Sequence, residues 1–150
     1  IRQDRGVVSE LWDLLARELA RGGHAPASGD YYGIAYYPGD WEGRGTHDQC
    51  PRFLYMAGIE VQGRELTGPA LVLKRVPALR YARFVHKGPT RDLPLTLDYV
   101  YHTWLPKSGE RLASSLIVEG YGREVGDLES EEAERAIYVP VEPEGFKNPL

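Results

Sequence analysis

The chain has 150 residues, a formal net charge of −4 and one cysteine, Cys50, which fits a single domain (1–150) that buries a core without disulfide staples. The acidic balance and the lack of a dense Lys/Arg cluster argue against nucleic acid or an anionic membrane as a partner, and no apolar run reaches membrane-spanning length. A lone cysteine and the lack of a signal-peptide pattern point to a reducing, cytoplasmic setting.

A first helix is expected from about Val8 to Ala20, with Ser9 as N-cap and Leu11, Leu14, Leu15 and Leu19 as its apolar stripe. Gly22-Gly23 stops it, and a loop rich in Gly, Ala, Pro and Ser leads into a strand from Tyr31 to Tyr37. Pro38-Gly39-Asp40 breaks that strand. The polar stretch from Trp41 to Cys50 reads as a long, flap-like connection, and Phe53 to Val61 as the next strand. Ala70 to Lys74 is a short extended piece, followed by a strand from Leu79 to His86. A second helix is expected from about Arg91 to Trp104, capped by Thr90, with Pro94 in its first turn and Trp104-Leu105-Pro106 as its stop. Its stripe is Leu93, Leu97, Val100, Tyr101 and Trp104. Strands from Leu116 to Tyr121 and Ala136 to Val141 flank an acidic stretch, Asp127 to Glu134, before a tail over 143–150.

Helix, strand, polar connection and strand thus occur twice, over about 1–66 and 70–142. The expected fold is α+β: tandem duplicated β-α-β-β units with pseudo-twofold symmetry, two antiparallel sheets around a central ligand groove.

Glu119 poses the chemical question. It interrupts the strand-like run Leu116-Ile117-Val118-Glu119-Gly120-Tyr121, where an unpaired carboxylate is expensive to bury. An organic cation would supply the missing charge, and aromatic faces would add cation–π attraction. Two plainer readings compete: an exposed strand residue, or the partner of a buried arginine. Tyr121 shares a strand face with Glu119 by period-two alternation. Tyr37 mirrors Tyr121 in the other half, Trp104 ends the second helix's stripe, and Tyr55 and Tyr138 complete the candidate ligand-binding set. The ten tyrosines suit such a cavity, although most are expected on sheet surfaces. The four histidines lack metal-ligand spacing, and no nucleophile elbow, phosphate loop or dinucleotide fingerprint occurs, so no metal or cofactor is expected.

On Tyr81-Ala82-Arg83-Phe84-Val85-His86-Lys87-Gly88-Pro89, Tyr101-His102-Thr103-Trp104-Leu105-Pro106-Lys107-Ser108-Gly109, Glu119-Gly120-Tyr121 and Ile137-Tyr138-Val139-Pro140-Val141, the chain resembles the GyrI-like small-molecule-binding family. Leu11-Trp12-Asp13-Leu14 and Phe53 to Val61 fit it too. This family also supplies the effector-binding domain of AraC-type and multidrug-sensing regulators. The resemblance implies a cavity for bulky, lipophilic, cationic molecules, with Glu119 at the position of the family's cation-pairing glutamate. No DNA-binding domain is expected here. The usual first strand has no counterpart in Ile1 to Val8: either it lies outside this sequence, or the first sheet has an open edge that a second chain could cover, as in a homodimer.

The expected function is a free-standing binding protein for a bulky aromatic, cationic small molecule. One alternative is a hydrolase of strained, cyclopropane-bearing molecules using Glu119. A second is a protein-interaction or inhibitor module of the gyrase-inhibitor type.

Overall fold

The computed structural model describes residues 5–23, 29–37, 53–62 and 70–144. Helix α1 spans Arg5–Gly22, and strands β1 (Tyr31–Tyr36), β2 (Leu54–Ile59) and β3 (Arg80–Lys87) follow. A 3-10 turn, Thr90–Asp92, opens α2 (Leu93–Tyr99), which passes through a π turn, Val100–Trp104, into α3 (Leu105–Ser108). Strands β4 (Leu116–Gly122) and β5 (Glu134–Val141) complete the fold. The flap-like stretch from Trp41 to Cys50 and most of the tail lie outside the described residues.

The fold is α+β, and the five strands form one antiparallel sheet in the order β2-β1-β4-β5-β3. This corrects the expected pair of sheets. Neither β1 nor β4 carries the proline or outward-facing charge that keeps an edge free. The β1–β2 and β4–β5 hairpins therefore fuse along β1 and β4, from Tyr31↔Gly122 to Tyr36↔Leu116.

Both helical segments cover the same face of the sheet. Leu97, Val100 and Tyr101 pack on Ala35, Ile117, Ile137 and Val139. On the neighbouring area, Trp12, Leu15 and Leu19 of α1 pack on Tyr31, Tyr55, Ala57, Ile59 and Tyr121. The α1 stripe is thus rotated from the expected one, because Trp12 turns inward while Leu14 is 42% exposed. The opposite face carries Ile34, Leu116 and Val118 with Tyr32, Tyr36, Met56, Tyr81 and Tyr138.

Three helix-end expectations are corrected. Ser9 lies inside α1, which begins a turn earlier. Thr90 makes no cap: its hydroxyl donates to the Leu128 carbonyl at 3.0 Å and accepts from Arg135 at 2.8 Å. The second helix does not stop at Trp104-Leu105-Pro106. Its ladder slips to a longer repeat, with the Leu105 N–H donating to the Val100 carbonyl. That wider turn comes just before Pro106, whose ring would clash with a regular preceding turn. The stop is Gly109, in the left-handed region at φ 73°.

Candidate functional site

Glu119 is buried, 5% exposed, at the centre of the sheet, between Gly33 of β1 and Ile137 of β5. Its Oε2 accepts two phenol hydroxyls, from Tyr55 at 2.7 Å and from Tyr121 at 2.7 Å, whose oxygens lie 3.3 Å apart. Each bond to a charged acceptor contributes roughly 1.5–3 kcal/mol, which offsets much of the cost of burying the carboxylate.

Backbone features aim both phenols. Tyr55 stands on β2, two strands away from β4, and reaches Glu119 across β1 at Gly33. A Cβ on Gly33 would press against the Tyr55 hydroxyl and lie 2.7 Å from Glu119 Oε2 and 2.8 Å from Tyr55 Cζ. Only glycine leaves that passage open. Tyr121 sits where the β1–β4 register slips, since Tyr31 pairs with Gly122 and Tyr32 with Gly120. A bulge of this kind re-aims one side chain, here back along its own strand towards Glu119.

Arg135, 3% exposed, supplies the balancing charge. Its Nη1 donates to the Tyr121 hydroxyl at 3.2 Å, and its guanidinium carbon lies 5.3 Å from the Tyr121 ring centre. Glu119, Tyr121 and Arg135 therefore form a relay from buried anion to buried cation through one phenol. Burial, then the Glu119 charge, raises both phenols far above their ordinary value, and Arg135 pulls Tyr121 part of the way back. Both remain O–H donors throughout the physiological range. Trp12 closes the site, edge-on to Tyr121 at 5.1 Å and to Tyr55 at 6.5 Å. Among the described residues, Trp12 Nε1 and Arg135 Nε are buried with no hydrogen-bond partner.

Of the sequence-derived candidates, Glu119, Tyr121 and Tyr55 come together. Tyr37 lies on the same face but stacks on Phe53, ring centres 5.7 Å apart, beside the α2 core. Trp104 packs edge-on to Phe84 at 5.0 Å within that core. Tyr138 lies on the opposite face, where its ring covers Gly120. The register Val118↔Tyr138 fixes that side, and period-two alternation in one strand cannot reveal it. Trp12 and Arg135 were not among the candidates. Arg135 had a signal: counting back by two from Val139 and Ile137 puts it on the Glu119 face.

A cleft of about 620 Å³ is lined by α1, β2 and the segment 70–76 and, from the sheet's other face, by Tyr32, Ile34, Met56 and Val118. It shares Tyr55 with the Glu119 cluster but does not include Glu119, Tyr121, Tyr37, Trp104 or Tyr138. Tyr55 therefore stands between the two places, with Glu119 and Tyr121 on one side of it and the cleft on the other.

Among curated proteins, none matches the chain. The model of the GyrI-like small molecule binding domain matches residues 2–142, nearly its whole length. A sheet with both helical segments on one face, a buried carboxylate at its centre and this match together show that the chain belongs to the GyrI-like small-molecule-binding domain family.

Proposed function

We propose that this domain binds a flat, aromatic, cationic small molecule at Glu119. The observation that carries the reading is a buried carboxylate held by two phenols and walled by Trp12. A ligand cation gains most where water is excluded and the counter-charge is already oriented. Tyr55, Tyr121 and Trp12 offer aromatic faces to the ligand ring, and Tyr37 extends that wall on the same face. The unpartnered Trp12 Nε1 gives a neutral acceptor on the ligand something to bond. The β1–β4 junction supports a pseudo-twofold reading in which two related halves meet at the site.

Arg135 gives the unliganded site its stability. The guanidinium is held to the Tyr121 hydroxyl, one phenol away from the carboxylate, so an incoming cation is the group that meets Glu119 directly. Thermal denaturation of wild type and Glu119→Gln, with matched cationic, neutral and anionic aromatic compounds, tests the charge logic. Stabilisation by the cations alone, lost in the variant, is the expected result. Equal shifts in both proteins would sink the charge pairing.

A further inference from the structure

We propose a second ligand site in the cleft between α1 and the β2 edge, taking an alkylammonium or other lipophilic amine whose cationic head is held by Glu18. This goes beyond the Glu119 reading and uses a different carboxylate.

The walls are mostly aliphatic, with Tyr32, Tyr55, Glu60 and Lys74 also on the lining. Leu11, Leu14, Leu15 and Leu19 line the cleft from α1, facing Ile59 on β2 and Val72 on the crossing segment. Leu11 to Leu19 spans about 12 Å along the helix axis at the usual rise, so the wall is a slot long enough for a hydrocarbon chain. The cleft's 620 Å³ lies within the range of small-molecule sites. Several of these side chains remain open to solvent in the unliganded protein, with Leu14 42% and Val72 71% exposed. Covering them is a hydrophobic gain that a ligand tail would collect.

Of the three charged side chains on the lining, Glu60 and Lys74 are exposed and Glu18 alone is buried. Glu18 lines the cleft and is only 8% exposed, on the same side of α1 as Leu15 and Leu19. Its partner is Arg21, one turn on, with Nη1 3.2 Å from Oε1. The Arg21 side chain is 75% exposed, so it reaches the carboxylate from the solvent side. An ammonium at the end of a chain in the slot meets the same carboxylate from within, and Arg21 returns to water at little cost. The cleft's lining is mostly aliphatic, whereas the groups around Glu119 are mostly aromatic, so the two favour different cations.

Calorimetric titration with octyl- and decyltrimethylammonium below their micelle concentrations tests this, with decanol and decyl sulfate as uncharged and anionic controls. The expected affinity rises with chain length by roughly fourfold per methylene. Glu18→Gln weakens ammonium binding at least about tenfold but leaves decanol unaffected. Leu14→Lys, at an exposed helix position, weakens every chain, and Glu119→Gln weakens none. No chain-length dependence, or loss through Glu119→Gln with Glu18→Gln silent, would overturn the second site. The first of these outcomes leaves the Glu119 reading standing, and the second strengthens it at the cleft's expense.

Discussion

Glu119 and Glu18 are buried to nearly the same degree, 5% and 8% exposed, yet they are held in opposite ways. Glu119 lies in the middle of the sheet with two phenols on one oxygen and a buried arginine behind one of them. Glu18 lies on a helix at the sheet's edge, beside open apolar space, and its partner is an exposed arginine. The difference teaches that burial alone does not describe a carboxylate. A phenol-held carboxylate is preorganised, because its donors are fixed by strands and a ligand need not arrange them. One held by an exposed surface arginine is exchangeable, because that partner can be taken up by water.

The strongest way to break this contrast is to remove the cation behind the relay. Arg135→Gln leaves Glu119 buried without its balance and should cost about 3–5 kcal/mol in urea unfolding. An aromatic cation should then stabilise the variant more than wild type, because the ligand takes over the missing charge. An undiminished unfolding midpoint would mean that Arg135 does not balance Glu119. Next comes Gly33→Ala, whose methyl must expel the Tyr55 ring; overpacking and the lost bond together should cost about 3 kcal/mol. Tyr55→Phe and Tyr121→Phe should each cost roughly 1.5–3 kcal/mol and combine non-additively, since both donate to the same oxygen. Arg21→Ala, at the other carboxylate, should cost under about 0.5 kcal/mol. Equal losses at the two sites would erase the distinction.

Alkaline pH probes the same cluster without mutation. Burial raises Tyr55, Tyr121 and Tyr101 well above their ordinary value. The stability they contribute is therefore complete below the unfolded value of about 10 and drains away as the pH climbs past it. Tyrosinate absorbance should lag behind the exposed phenols until the chain unfolds; normal titration of every tyrosine in folded protein would contradict the burial. The smallest effect is expected at Arg80 and Glu110, where hydrogen bonding to Arg80 lowers the Glu110 carboxyl. That contribution is present above the ordinary carboxylate range and disappears as the pH falls through the lowered value. Glu110→Gln should therefore lower stability slightly at neutral pH and make no difference once the pH has fallen below the lowered value, because the contribution it removes is already gone there.

Strand positions were legible in the sequence because β-rich runs such as Tyr31 to Tyr37 and Leu116 to Tyr121 are bounded by glycine and proline. Glu119 was legible because it interrupts such a run. What the sequence hid was pairing. That β1 joins β4, making one sheet, and that Tyr138 opposes Val118, on the far face, are decided between strands rather than within one. Local rules also failed at the second helix, where Pro106 reads as a stop but the π turn carries the chain past it. Glu18 was overlooked although it stands three residues after Leu15 and beside Leu19, on the stripe that is buried.

The most direct measurement is a calorimetric titration of one flat aromatic cation into wild type, Glu119→Gln and Glu18→Gln side by side. The account expects binding to collapse in Glu119→Gln and to persist, within about twofold, in Glu18→Gln. Binding that survives in Glu119→Gln and collapses in Glu18→Gln would contradict it, and would move the aromatic cation to the edge of the sheet.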